Sequence, residues 1–87
     1  MNYHVSLSLE AEKVYRKADS ALIKKLDRCF EQLEINPYSH PNIKVLKGSY
    51  HGCYRYRVGD YRVVYSVDES NILVNVIVIA HRSKVYE

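Results

Sequence analysis

Two runs rich in tyrosine, arginine and valine, 50–58 and 61–67, are joined by nothing more than Gly59-Asp60. A two-residue connection confines such a pair to a β-hairpin, and glycine at the first central position suits a type II′ turn, which fixes the register. Val58 then faces Tyr61, Arg57 lies opposite Arg62, and Arg55, two residues back, shares their side of the sheet. Tyr54, Tyr56, Val58, Tyr61, Val63 and Tyr65 take the other side and are assigned to the core. Three guanidinium groups therefore gather on one face. Like charges directly opposite one another destabilise a sheet, and no acidic residue falls within 53–58 or 61–67 to offset them. A solvated structural face usually mixes signs. A bound phosphate is the reading favoured over a merely solvated face.

The rest of the chain supplies a partner layer for this hairpin. Tyr3, Val5, Leu7 and Leu9 alternate with polar residues, the period of a half-buried first strand. Ser8 is a plausible helix N-cap, Glu10 and Glu12 suit the first helical turn, and this helix is expected to run to about Ala18. Asp19 or Ser20 restarts a second helix, in which Leu22, Leu26, Cys29, Phe30 and Leu33 form one apolar stripe. Asn36-Pro37 stops it, 38–42 reads as loop, and Ile43, Val45 and Leu46 mark a short strand. The last strand, 72–80, is apolar at nearly every position, which predicts a central strand covered on both faces. The expected architecture is α+β: an N-terminal strand and a two-helix hairpin packed on a curved antiparallel sheet, in the order βααββββ. The helices cover one sheet face and leave the other partly free.

Eighty-seven residues suffice for one domain, 1–87, with a single core. A hydrophobic fraction of 47% and a charged fraction of 26% fit an ordinary globular protein. Neither a leader pattern nor a run of the ~20 apolar residues needed to cross a bilayer is present, so a cytoplasmic protein without membrane contact is expected. Cys29 and Cys53 show no zinc-site spacing and read as buried thiols; no metal and no cofactor are expected. The first 43 residues carry six basic and six acidic side chains, so the whole net charge of +3 resides in the second half. A basic face of this kind suggests a polyanionic partner.

The run Gly52-Cys53-Tyr54-Arg55-Tyr56-Arg57-Val58-Gly59-Asp60-Tyr61-Arg62-Val63-Val64-Tyr65, followed by His81-Arg82-Ser83-Lys84-Val85-Tyr86, resembles the RelE/ParE toxin superfamily. Lys44-Val45-Leu46-Lys47-Gly48 and the paired helices extend the likeness over nearly the whole chain. The resemblance implies a toxin encoded beside a RelB-like antitoxin that neutralises it. For RelE-type members it implies cleavage of messenger RNA in the ribosomal A site, and hence translation arrest. The alternative within the same fold is a ParE-like toxin that binds DNA gyrase without catalysis; a third is a degenerate member that only binds its antitoxin.

In the cleavage chemistry a ribose 2′-hydroxyl attacks the adjacent phosphate, so the site must accept a proton, stabilise added negative charge and protonate the leaving oxygen. Arg55, Arg57 and Arg62 suit charge stabilisation, because a guanidinium stays protonated and grips phosphate oxygens in pairs. They cannot serve as the base. Some RelE-type enzymes carry lysines in the strand matching Arg55 and Arg57, so the base must lie elsewhere here. The resemblance assigns it to Tyr86, a phenol whose ordinary pKa of ~10 surrounding cations could lower. His81 is the rival, as an imidazole that titrates near neutrality, although it could equally only hold the C-terminal tail. Arg82 matches the family position at the scissile phosphate, yet strict alternation from Ile72 points it away from the arginine face; ending the last strand near Ala80 is the provisional way out. Lys44 and Lys47 are candidate RNA or ribosome contacts, with Lys13, Lys24 and Lys25 farther off, although solubilising roles are the simpler account of each. His51 and Cys53 share the arginine face by parity but lack the third group a nucleophilic dyad needs; His4 and His40 read as structural.

Overall fold

The computed structural model describes residues 2–84. Strand β1 (His4–Leu7) leads into helices α1 (Leu9–Lys17) and α2 (Ser20–Ile35), then β2 (Ile43–Val45), β3 (Tyr54–Val58), β4 (Tyr61–Asp68) and β5 (Leu73–His81). The strands form one sheet in the order β1-β5-β4-β3-β2. Four of them are antiparallel as expected, but β1 runs parallel to β5, which makes the sheet mixed rather than wholly antiparallel. A parallel neighbour needs a long crossover, and here everything from α1 to β4 supplies it. β5 therefore lies inside the sheet, flanked on both sides. Val74, Val76 and Ile79 are buried while most of its remaining residues are half-buried, so one face is more completely covered than the other.

The caps fall where the sequence places them. Ser8 Oγ accepts from the Ala11 amide at 3.0 Å, and Asp19 Oδ1 accepts from the Leu22 amide at 2.9 Å. The apolar stripe of α2 supplies Leu26, Cys29 and Leu33, all fully buried against Tyr56, Val58, Val63 and Tyr65 of the hairpin. Burial pushes the Cys29 thiol well above its ordinary range, which makes it inert. Cys53 is only half-buried, a correction to the reading that paired it with Cys29 as an interior thiol.

Two strand boundaries move for backbone reasons. β3 starts at Tyr54 and not at Tyr50, because Gly48 (φ 69°) and Gly52 (φ 89°) bracket a short 3₁₀ turn at Gly48–Tyr50. β5 starts at Leu73 because Ile72 has φ 51°, a left-handed conformation costing a side chain of this kind about 1–2 kcal/mol.

Aromatic side chains pin loop 36–42 to the sheet. Tyr65 is fully buried and its hydroxyl donates to the Pro37 carbonyl at 2.7 Å. Its ring stacks on Tyr54, which meets Tyr38 edge-on, and Tyr38 in turn meets Tyr3. His40 stacks on Tyr56 at 5.1 Å between centroids, and its Nδ1 accepts from the Asn42 amide. At the outer end, the hydroxyls of Tyr3 and Tyr38 both donate to Glu69 Oε2. These bonds from Tyr38 and then Tyr3 hold the Glu69 carboxyl below its usual range. A depressed folded pKa stabilises above the unfolded value and is lost as pH falls through the folded one. Glu69→Gln is therefore expected to lower resistance to urea at neutral pH, with the gap from the parent closing as the pH falls below the ordinary carboxylate range; a gap constant over that range would show the carboxylate plays no such part.

Candidate nucleic-acid interface and active site

The hairpin has the register that its turn dictates: Val58 pairs with Tyr61, Arg57 with Arg62 and Arg55 with Val64. Positive φ occurs at Gly59 (58°) and not at Asp60, as a type II′ turn requires. Arg57 is exposed, Arg62 half-buried and Arg55 buried at 8% exposure. These three positions share the sheet face away from the helices, whereas Tyr56, Val58, Val63 and Tyr65 enter the core on the other. Val64, the partner of Arg55, is fully buried as well, so the arginine face has an apolar floor and is less open than the sequence reading supposed.

The three arginines differ in what they can offer. Arg55 Nη1 donates to the Asn42 carbonyl at 2.8 Å, and the Arg57 amide donates to the same oxygen at 3.0 Å. Part of the Arg55 fork is thus committed to the backbone at the entrance to β2. Arg57 and Arg62 stand directly across the hairpin from each other on that face.

A β-bulge settles where Arg82 goes. Tyr65 pairs with Val76 but Val64 pairs with Val78, leaving Ile77 as an extra residue in β5. The parity of the strand changes there: Val74 and Val76 enter the core before it, Ile79 after it. Ala80 consequently pairs with Arg62, and the Arg82 amide continues the ladder by donating to the Asp60 carbonyl at 2.7 Å. Arg82 opens a short 3₁₀ turn, Arg82–Lys84, and its Nη1 lies 4.0 Å from Asp60 Oδ1. β5 ends at His81, one residue past the expected ending near Ala80, and the bulge by itself removes the conflict.

His81 falls on the opposite side. It pairs with Tyr61, meets that ring edge-on at 5.6 Å, and its Nδ1 lies 3.1 Å from Ser83 Oγ. These contacts tie it to the core side of the sheet and to the start of the tail, not to Arg57 and Arg62. Tyr86 lies outside the described residues. Lys44 pairs with Arg55 in register, and Lys47 follows on the same edge of the sheet. Among the described residues no three His, Cys, Asp or Glu side chains come together as metal ligands, and no helix is long and apolar enough to cross a membrane.

A family model described as the ParE toxin of the type II toxin–antitoxin system parDE matches residues 5–86. The chain belongs to the RelE/ParE toxin family. It is similar to Toxin RelE of Mycobacterium tuberculosis, with 34% identity over 97% of this chain and 86% of that protein. Among solved structures it is similar to the archaeal RelE–RelB complex of Pyrococcus horikoshii, with 26% identity, a TM-score of 0.81, and coverage of 98% of this chain and 100% of that one. The intact RelBE toxin–antitoxin complex of Escherichia coli is also similar, with 26% identity, a TM-score of 0.77, and coverage of 91% and 95% respectively. The protein is thus a toxin of a toxin–antitoxin system, on the fold those RelE structures share.

Sequence reasoning missed two features of this toxin's surface. The bulge leaves no trace in Val76-Ile77-Val78-Ile79, because a strand apolar at every position has no alternation for an extra residue to interrupt. Ser8 Oγ, besides capping α1, donates to the carbonyl of bulged Ile77 at 2.7 Å, a contact between residues 69 apart that local patterning does not report.

Proposed function

We propose that this toxin is an endoribonuclease that cuts messenger RNA in the ribosomal A site by metal-independent attack of the 2′-hydroxyl on the adjacent phosphate. The observation that carries the reading is the pairing of Arg57 with Arg62 across a tight hairpin, with the bulge delivering Arg82 to the same end of the sheet. An enforced approach of cations across a tight turn suits a reacting phosphodiester better than a solvated surface. Arg57 and Arg62 hold the non-bridging oxygens, and Arg82 meets the charge developing on the leaving side. Arg55, half committed to Asn42, supports the strand as much as it contacts the RNA. The role of base goes to Tyr86, since His81 is engaged with Tyr61 and Ser83 on the other face. Lys44 and Lys47 extend the cationic edge toward the ribosome. No cofactor has a part in this chemistry.

A RelB-like antitoxin is the proposed partner in the resting state, in keeping with the RelE–RelB complexes to which the chain is similar. The cytoplasm, where ribosomes translate, is the proposed place of action. Purified toxin added to programmed ribosomes is expected to yield message cut at the A site, to cut free RNA poorly, and to lose cleavage on Tyr86→Phe. The match to a ParE family model keeps one rival in view. Inhibition of gyrase supercoiling, with ribosome-bound message left intact, would replace the nuclease with a gyrase poison.

A further inference from the structure

A cavity of about 180 Å³ lies at the seam between α2 and the β3–β4 hairpin, lined by Lys25, Arg28, Asn42, Tyr56, Arg57 and Val58. Its origin is in the register. β2 pairs with β3 only as far as Tyr56, so the last two residues of β3 run past the end of the edge strand. The helix closes the gap: Lys25 and Arg28, three residues apart, lie on one side of α2 beside its buried stripe. The Lys25 ammonium reaches over the hairpin turn, 3.7 Å from where a Cβ on Gly59 would stand.

Three cationic residues line this cavity. Among the described residues ion pairs join Arg16 to Glu12 and Arg82 to Asp60, and none includes Lys25, Arg28 or Arg57. Three carboxylates of the same region have other partners. Asp19 caps α2 through the Leu22 amide, Asp27 accepts from the Tyr15 hydroxyl at 2.7 Å, and Asp60 faces Arg82. Gathered positive charge of this kind is relieved by an anion, and an arginine beside a lysine suits phosphate oxygens.

We propose that this cavity binds a backbone phosphate of RNA, separate from the phosphate that reacts. The inference rests on the nuclease reading through Arg57, which pairs with Arg62 on the sheet face and also lines the cavity. One phosphodiester chain can thus pass from the reacting position into the seam with α2. That continuity favours RNA over an acidic protein segment, which has no reason to meet both places.

The test is the salt dependence of binding between the full chain and ribosomes programmed with a message blocked by 2′-O-methylation at the cut site. Lys25→Gln/Arg28→Gln is expected to weaken binding roughly tenfold at physiological salt and to reduce the slope of log K against log salt by about 1, one phosphate's worth. Lys25→Glu/Arg28→Glu should enlarge the loss, and a melting midpoint matching the parent's shows that the fold is intact. A parental slope in both variants overturns the proposal, as does a loss of affinity for the antitoxin with ribosome binding unchanged. Its fate separates from that of the nuclease reading. If the parent cuts unmodified message while the variants keep the parental slope, the cavity alone falls; if the parent never cuts but the slope still drops, the cavity stands without the nuclease.

Discussion

Arg62→Ala is expected to slow cleavage of message on programmed ribosomes by about 10²–10³-fold, the usual loss when one preorganised donor to a developing negative charge is removed. Arg62 occupies the point where that donor is hardest to replace. It sits in the interior strand β4, directly opposite Arg57 on one side and Ala80 on the other, so its backbone is held on both sides. The loss should fall on the rate at saturating ribosomes more than on binding, because the cavity cations and Arg57 remain. Arg62→Lys is expected to recover part of the rate, as it restores the charge without the planar fork. Stability should change by no more than about 1 kcal/mol for a half-buried surface arginine. Single-turnover cleavage on ribosomes, read beside urea unfolding, checks both halves, and parental cleavage by Arg62→Ala would remove the hairpin from the chemistry.

The largest effect on stability is expected at Tyr65. Tyr65→Ala should cost about 3–5 kcal/mol, the range for emptying a buried aromatic site, because the ring is fully enclosed between Tyr54 and the core. Tyr65→Phe separates the hydroxyl from the ring. It leaves the Pro37 carbonyl without its 2.7 Å donor and should cost about 1–3 kcal/mol. The midpoint of urea denaturation reports both, and an unchanged slope keeps the comparison within two-state unfolding. If Tyr65→Phe matched the parent, loop 36–42 would owe its position to ring packing alone. The same loop carries Asn42, whose carbonyl holds both Arg55 and Arg57, so loosening it should also blur the arginine geometry.

Much of this arrangement was legible where one short-range rule dominates. Gly59-Asp60 permits few turns, so the facing of Arg57 and Arg62 follows from chain geometry alone. Ser8 and Asp19 announce the helix starts because their side chains satisfy amides that would otherwise lack partners. What escaped were features set by distant parts of the chain. The parallel pairing of β1 with β5 depends on where the crossover returns, and the alternation in β1 is the same for either direction. Arg55 reads as a surface cation by parity, but the Asn42 carbonyl and its apolar neighbour Val64 draw it inward. Lys25 and Arg28 look like ordinary solvated helix residues until the late start of β2 leaves a hollow beside them.

The unpaired Ile77 makes the exit of the chain from the sheet depend on its entry. The carbonyl of that residue is held by Ser8, the hinge between the first strand and the first helix, so opposite ends of the sequence share one small joint. Ironing the bulge out with that residue retained would exchange the facing of Val78, Ile79 and Ala80 and swing the terminal segment beyond Ala80 to the wrong side of the molecule, whereas deleting Ile77 would leave their facing unchanged. A chain slipped in that way would be disarmed by a rotation and not by the loss of any reactive group.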